Sequence, residues 1–186
     1  MTIPLADAAR KRILITGASG TGKSTVIERL STLGYPAIDA DAPGYSMEIA
    51  VSEDKLTGLG PGRDWVWRAA AIRSALDRRD PLLFLSGCSP NQGDFYPAFT
   101  HIILLTVPPA LVRERLSTRI TNAFGKDPNE LARALALQAE IEPLLRRSAT
   151  HVIDTRLALD EVVEEVLRAS GVDPDECDEP TAMTGI

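Results

Sequence analysis

The stretch Ile15–Thr25, ITGASGTGKST, decides the fold of this chain. It fits the pattern G-x-x-x-x-G-K-[ST], with an apolar run over Arg12–Gly17 before it and a helical pattern over Lys23–Leu33 after it. Glycines let backbone N–H groups curl around phosphate oxygens, and the new helix presents the positive end of its dipole to them. The stretch therefore predicts a phosphate-binding loop between a buried strand and a helix.

Two side chains of this loop have separate predicted roles. Lys23 places a positive charge near the β- and γ-phosphates of a nucleotide, and Ser24 offers a hydroxyl to Mg²⁺. We therefore expect ATP and Mg²⁺ as cofactors. The predicted nucleotide-binding residues of the loop are Gly17, Ala18, Ser19, Gly20, Thr21, Gly22, Lys23, Ser24 and Thr25.

Length and composition predict one globular domain. The chain has 186 residues, of which 44% are hydrophobic and 25% charged, and no apolar run approaches the roughly 20 residues of a membrane helix. The N-terminal residues lack the apolar core of a signal peptide, so we expect a cytoplasmic protein without a membrane partner. Cys88 and Cys177 lie far apart and form no metal-ligand spacing, so neither is expected to carry function. The net charge of −6 disfavours nucleic acid as a partner.

Apolar runs alternate with helical patterns along the chain. This alternation predicts an α/β fold with a mostly parallel sheet, in which ligands lie at the carboxyl ends of the strands. The segment Ser46–Gly62 has no clean period, so we predict a mobile segment there. Asp127, Pro128 and Glu130 form a capping box at the start of a long helix. Predicted strands are Arg12–Gly17, a weak one ending at Asp39, Leu82–Ser86, His101–Val107 and His151–Asp154; predicted helices are Lys23–Leu33, Asp64–Arg79, Pro109–Thr118, Pro128–Arg147 with a kink at Pro143, and Asp160–Ser170.

Two nucleotide-dependent classes fit the sequence poorly. The stretch Asn91–Asp94, NQGD, is similar to a guanine-reading N-K-x-D motif, but no D-x-x-G switch motif precedes it, which disfavours a GTPase. A motor or helicase needs an acidic residue at the end of an apolar strand, whereas the third strand ends in Ser86 and Gly87. Phosphoryl transfer to a small acceptor is left as the leading hypothesis.

Such a transfer needs carboxylates and cations around the γ-phosphate. Asp39 and Asp41 lie at the end of the second strand, where they could bind ligands or only shape a turn. Arg115 and Arg119 lie one helical turn apart, so they share a face that either reaches the nucleotide or is merely solvated.

Taken in order, the loop, the "DAD" of Asp39–Asp41, "LLFLSG", "LLTVPPALVRERLSTR" and "HVIDT" resemble the small P-loop kinase superfamily of adenylate, shikimate and gluconate kinases. The resemblance implies a three-layer α/β/α fold with a five-stranded parallel sheet over residues 12–170, and a lid at about 119–127. It implies that Arg115 packs on adenine and that Arg119 reaches the phosphates. It also implies that Asp41 binds the acceptor and that Asp39 supports Mg²⁺ through water. Residues 1–11 are then a flexible N-terminus, and residues 171–186 an acidic, disordered tail.

Departures from the family pattern narrow the range of possible acceptors. Ile141 stands where shikimate kinases have an arginine, and a three-glycine run is reduced to Gly87, so shikimate itself is disfavoured. Trp65 and Trp67 diverge by about 200° on the predicted helix, so only one could face the acceptor. The predicted substrate-binding residues are Asp39, Asp41, Arg63, Gly87, Asn91 and Gln92, the catalytic residues are Lys23, Asp41 and Arg119, and the metal-binding residues are Ser24 and, through water, Asp39.

A nucleoside or nucleotide is the preferred acceptor, and another small alcohol stays open. An ATP-binding regulatory module without an acceptor is the second hypothesis, because no residue proves that an acceptor exists. A nucleic-acid end kinase is disfavoured by the negative charge. We expect a monomer or a homodimer.

Overall fold

The computed structural model describes residues 10–118 and 124–172. The predicted N-terminal segment 1–11, lid 119–127 and tail 171–186 fall mostly outside these ranges, as does Cys177, so their assignments stay predictions. The strands are β1 Lys11–Thr16, β2 Ala37–Asp39, β3 Ser46–Ala50, β4 Arg63–Trp67, β5 Leu82–Ser86, β6 His101–Thr106 and β7 His151–Asp154. The helices are α1 Lys23–Thr32, α2 Ala69–Leu76, α3 Pro109–Thr118, α4 Pro128–Ser148 and α5 Leu159–Ala169, with a 3₁₀ helix at Gln92–Ala98.

Five parallel strands form the central sheet in the order β2-β5-β1-β6-β7. In this sheet Ile15 of β1 lies opposite Ser86 and Ile103, so the carboxyl ends of the three central strands meet at one edge. All five strands were predicted, because their near-continuous apolar runs are typical of parallel strands buried on both faces. The five-stranded parallel sheet that the family resemblance implied is confirmed.

The core lies on both faces of this sheet. On one face, Ile13 and Ile15 of β1 pack with residues of α1 and α5, such as Leu30 and Val166. On the other face, alternate residues of the same strands pack with α2, the 3₁₀ helix and the end of β4. The structure is therefore a three-layer α/β/α sandwich, and none of its described helices is long and apolar enough to cross a membrane.

A β-hairpin replaces the predicted mobile segment and the start of the predicted second helix. Strands β3 and β4 pair antiparallel with each other, and α2 begins only at Ala69. The predicted helix from Asp64 was wrong because Trp65, Val66 and Trp67, which favour β-structure, lie in a strand that pairs with β3. Gly60 and Gly62, with φ of 96° and 73°, allow the chain to turn before β4. Trp65 and Trp67 consequently share one face of a strand instead of diverging.

The N-terminus of α4 confirms the predicted cap and alters one of its bonds. The carboxylate of Asp127 accepts hydrogen bonds from the backbone N–H groups of Asn129 and Glu130, at 2.8 and 3.2 Å. Glu130 does not reach back to the N–H of Asp127 but accepts from that of Gly125, at 3.0 Å. The side chain of Glu130 therefore also holds the residues before the helix in place.

Candidate nucleotide-binding and acceptor site

The phosphate loop lies between β1 and α1, and its shape depends on glycine. A Cβ atom at Gly17 would lie 2.5 Å from the backbone oxygen of Leu105 and 2.8 Å from the hydroxyl of Thr21. Gly22, at the start of α1, has a φ of 100°, which other residues rarely adopt. Thr21 donates to the backbone oxygen of Ala18 at 2.8 Å and holds the loop closed.

Lys23 lies inside the curve of this loop. Its side chain is buried, and its Nζ donates to the backbone oxygens of Gly17 and Ala18 at 2.7 and 3.3 Å. The ammonium is thus held by the same backbone that would surround phosphate oxygens. This is the position that the sequence pattern predicts for it.

Ser24 and Asp39 form an oxygen-rich pair beside the loop. The Ser24 hydroxyl lies 3.3 Å from Asp39 Oδ2, while Asp39 Oδ1 accepts from the backbone N–H of Asp41 at 3.0 Å. Hydroxyl and carboxylate oxygens suit Mg²⁺, which commonly takes only one or two protein ligands and shares the phosphates of a substrate. Among the residues described, no group of three or more His, Cys, Asp or Glu could hold a metal ion by itself. The donor set fits a phosphate-bound Mg²⁺ better than a fully protein-bound metal.

The carboxylate of Asp41 is fixed by N–H donors from two directions. The backbone N–H of Cys88 lies 3.1 and 3.3 Å from its two oxygens, and the indole N–H of Trp67 lies 3.4 Å from Oδ1. The indole N–H of Trp65 donates to the backbone oxygen of Asp41 at 3.2 Å. Burial raises the pKa of Asp41 above its usual value, although the charge of Lys23 and the N–H of Cys88 oppose that change. Asp41 is therefore oriented and made more basic than an exposed aspartate.

Gly87 leaves the space in which Asp41 and the indole of Trp67 approach each other. A Cβ atom at this position would lie 2.8 Å from Asp41 Oδ1 and 2.8 Å from the indole ring of Trp67. Gly87 was predicted to bind substrate, but it does not line the cavity. Its role in the structure is to let the carboxylate and the indole pack against β5.

A cavity of about 1220 Å³ joins these groups. Its walls are the phosphate loop, the hairpin loop between β3 and β4, the turn after β5, one face of α4 and the turn after β7. The side chain of Gln92 lines it beneath the loop and accepts a hydrogen bond from Thr16 at 3.0 Å. Of the predicted site residues, those that line the cavity are Ala18, Ser19, Gly20, Gly22, Lys23, Ser24, Thr25, Asp41, Gln92 and Arg115.

Arg115 of α3 lines the cavity and contacts both the phosphate loop and the turn after β7. Its guanidinium donates to the hydroxyl and the backbone oxygen of Thr155, at 2.9 and 2.5 Å, and to the backbone oxygen of Gly20 at 3.4 Å. It therefore links α3 to the phosphate loop and to the turn after β7.

Arg63 and Asn91, which were predicted to bind the acceptor, lie away from the cavity. Arg63 is exposed, pairs with Glu48 at 3.6 Å and does not line the cavity, so the structure gives no support to its role in binding the acceptor. Asn91 also lies off the cavity, and its amide exchanges hydrogen bonds with the backbone of Trp67 at 3.0 and 3.1 Å, which holds β4 in place. Arg119 lies outside the described residues.

Two features of the cavity wall were missed by sequence reasoning. Lys55 and the buried Asp64 form an ion pair at 2.9 Å, and both line the cavity from the hairpin. The run of β-forming residues Trp65–Trp67 in β4 was the available signal for a hairpin that would bring them there. Cys88, which we predicted to have no function, lines the cavity and orients Asp41 through its backbone, while burial raises the pKa of its thiol.

Curated relatives of this chain are named as nucleotide-binding proteins. A "Nucleotide-binding protein" from Jannaschia sp. (strain CCS1) is 29% identical over 164 residues, covering 87% of this chain and 48% of the relative. Another from Acidiphilium cryptum (strain JF-5) is 29% identical over 150 residues, covering 78% of this chain and 44% of the relative. The chain thus spans about half the length of the curated relatives that it matches.

Solved structures of small-molecule kinases share the fold. A shikimate kinase from Acinetobacter baumannii in complex with shikimate has a TM-score of 0.54 at 19% identity, covering 88% of this chain and 96% of the other. A deoxyadenosine kinase from M. mycoides with bound dATP has a TM-score of 0.53 at 15% identity, covering 85% and 97%. The expected resemblance to small P-loop kinases is therefore confirmed at the level of the fold.

The family comparison covers the phosphate loop, the hairpin and most of the sheet. Residues 13–136 match the model of a family described as "AAA domain", which is well over half of the chain. The matched range includes both Lys23 and Asp41, and it ends within α4. This chain is therefore a member of the AAA domain family, with the fold of the small P-loop kinases.

Proposed function

We propose that the protein is a kinase that transfers the γ-phosphoryl group of Mg·ATP to a hydroxyl group of a small molecule. The observation that carries this proposal is the position of Asp41. Its carboxylate lines the same cavity as Lys23 and Ser24, and N–H donors hold it in one orientation. A nucleotide-binding site that served only as a binding module would not need an oriented, more basic carboxylate beside the phosphate loop.

Each group has a defined part in the transfer. Asp41 accepts the proton of the acceptor hydroxyl while the hydroxyl oxygen forms a bond to the γ-phosphorus and the bond to the bridging oxygen of ADP breaks. Lys23 and Arg119 neutralise the charge that spreads over the moving phosphoryl group. When bound through Ser24 and, by way of water, Asp39, Mg²⁺ supplies further neutralisation of the phosphates. Arg115 packs on the adenine at the other end of the cavity.

A nucleoside or nucleotide is the acceptor class that we propose. The cavity, about 1220 Å³, exceeds the roughly 300–1,000 Å³ typical of a pocket for one small ligand, so it suits a nucleotide and a second molecule together. The indole of Trp65 offers a flat wall for a ring. We place the reaction in the cytoplasm, in a monomer or homodimer.

The test is ADP release from Mg·ATP in the presence of nucleosides, nucleoside monophosphates and small hydroxylated metabolites. Strong acceleration by one class of compound supports the kinase. Lys23→Ala should abolish the acceleration, which excludes a contaminating enzyme, and Asp41→Asn should abolish transfer while ATP still binds. Full transfer by Asp41→Asn would contradict the role of this carboxylate.

A nucleotide-binding regulatory module is the second candidate. The relatives are named only as nucleotide-binding proteins and are about twice as long as the matched region, which leaves room for an output domain. In that case ADP release should be slow, dependent on Lys23 and insensitive to every acceptor. A protein partner that binds only in one nucleotide state would then be expected.

A further inference from the structure

The cavity has two ends with different surroundings. Lys23 and Arg115 mark the nucleotide end, because both contact the phosphate loop. We define the acceptor end as the part of the cavity that is lined by Asp41, the hairpin and the C-terminal half of α4. Tyr96 and Gln92 of the 3₁₀ helix and Ser148 of α4 also line the cavity. An inference about this end rests on the proposed transfer of phosphate to an acceptor.

The described side chains of the acceptor end carry more negative than positive charge. Asp41, Asp64 and Glu140 contribute three carboxylates, and Lys55 contributes one ammonium, which gives a formal charge of −2. The ammonium of Lys55 is already paired with the buried Asp64 at 2.9 Å. Among the described residues that line this end, Lys55 is therefore the only cation; Arg133 of α4, whose guanidinium lies near Gly60 of the hairpin, does not line the cavity.

Two effects would oppose the binding of an anionic acceptor at this end. Its charge would lie among like charges, which strongly disfavours binding in a partly desolvated site. It would also have to compete for Lys55 with the buried carboxylate of Asp64, which is already the counter-ion of that ammonium. An uncharged hydroxyl group meets neither difficulty, because it can donate directly to Asp41.

The remaining lining of this end suits a ring. Leu56, Leu59 and Leu144 add apolar surface, and Leu144 is 54% exposed although it faces the cavity. The indole of Trp65 also lines this end, and its N–H bond to the backbone of Asp41 fixes its orientation. Aromatic rings pack well on such a surface in offset or edge-to-face arrangements.

We propose that the acceptor is an uncharged, hydroxyl-bearing molecule with a planar ring, of the nucleoside class, and that acceptors bearing a carboxylate or phosphate are excluded. The exclusion arises from the carboxylates of the acceptor end and from the commitment of Lys55 to Asp64. This narrows the proposed acceptor from nucleosides and nucleotides to nucleosides.

Matched pairs of compounds test this directly. Suitable pairs are a nucleoside with its 5′-monophosphate, and uridine with orotidine, which differ by one ring carboxylate. Affinity is measured by calorimetry with the nucleotide end saturated by a non-hydrolysable ATP analogue and Mg²⁺. ADP release from Mg·ATP is measured in parallel. The uncharged member should bind at least tenfold tighter and should accelerate ADP release.

The outcomes separate this inference from the kinase proposal. Equal or tighter binding of the charged member, with accelerated ADP release, overturns the inference and leaves the kinase standing. Preferential binding of the uncharged member without acceleration supports the selectivity and overturns phosphoryl transfer. Absence of both binding and acceleration across the pairs overturns both.

A variant of the ion pair supplies the second test. Asp64→Asn keeps an oxygen for the backbone N–H of Trp65 but frees Lys55, so the preference should move toward the charged member by about tenfold. Glu53→Gln is the matched control, because Glu53 is an exposed acid of the same hairpin that does not line the cavity. An unchanged preference in a folded Asp64→Asn protein would overturn the inference.

Discussion

Replacement of Gly87 by alanine should destabilise the protein, because the new Cβ atom would enter the contact between Asp41 and Trp67. The atom would lie 2.8 Å from Asp41 Oδ1 and 2.8 Å from the indole ring, and neither group is the free end of a flexible chain. Overpacking of this kind costs about 1–3 kcal/mol, and weakened hydrogen bonds to the carboxylate add about 1–2 kcal/mol. The lower entropy of the unfolded alanine chain offsets about 0.4–1 kcal/mol. The net loss in the free energy of unfolding is about 3 kcal/mol.

Thermal unfolding followed by circular dichroism measures this loss. For a chain of this length about 3 kcal/mol corresponds to a decrease in Tm of roughly 6–12 °C. Gly44→Ala is the matched control, because no atom lies within 4 Å of a Cβ at Gly44 and its φ is not in the left-handed region. Its Tm should be unchanged or slightly higher. If the Tm values of the two variants agreed within 2 °C, the close approach at Gly87 would not constrain the site as described.

Three further predictions concern the site. Asp41→Asn should raise Tm relative to the wild type at pH 7, and the difference should vanish on acidification. The sign follows from the raised pKa of the folded carboxyl, which binds a proton more readily than the unfolded one, so its ionisation disfavours folding as pH rises. Trp67→Phe should remove an indole N–H resonance whose chemical shift follows the ionisation of Asp41, whereas the resonance lost in Trp65→Phe, bonded to a backbone oxygen, should respond less. Arg115→Met should weaken ATP binding about tenfold, measured by calorimetry, because its links to Thr155 and the phosphate loop are lost.

The sequence was most informative where local pattern and tertiary environment agree. Continuous apolar runs such as Leu82–Ser86 predict buried parallel strands, and the phosphate loop is defined by glycines and a lysine at fixed spacing. Parallel strands meet at their carboxyl ends, so the proximity of Asp39 to Ser24 could be expected from the sequence.

The β-hairpin could not be predicted in the same way. Asp64–Trp67 was assigned to the start of a helix because Val66 and the apolar residues after it have helical spacing. The strand that forms there instead pairs with Ser46–Ala50, which is separated from it by a stretch of irregular sequence. The ion pair of Lys55 and Asp64 and the role of Gly87 both follow from that pairing. Such contacts depend on tertiary structure, which a local pattern does not report.

Within the described part of the chain, the hairpin pairs with no strand of the main sheet, and its two strands form a sheet of their own. A hairpin alone is marginally stable, so its order depends on the buried Trp67 and on contacts with the turn after β5. The main sheet with its phosphate loop and the hairpin that walls the cavity can therefore vary independently in evolution. Insertions or replacements between Ala42 and Arg68 could change this wall of the cavity without disturbing β1, the phosphate loop or the order of the five strands.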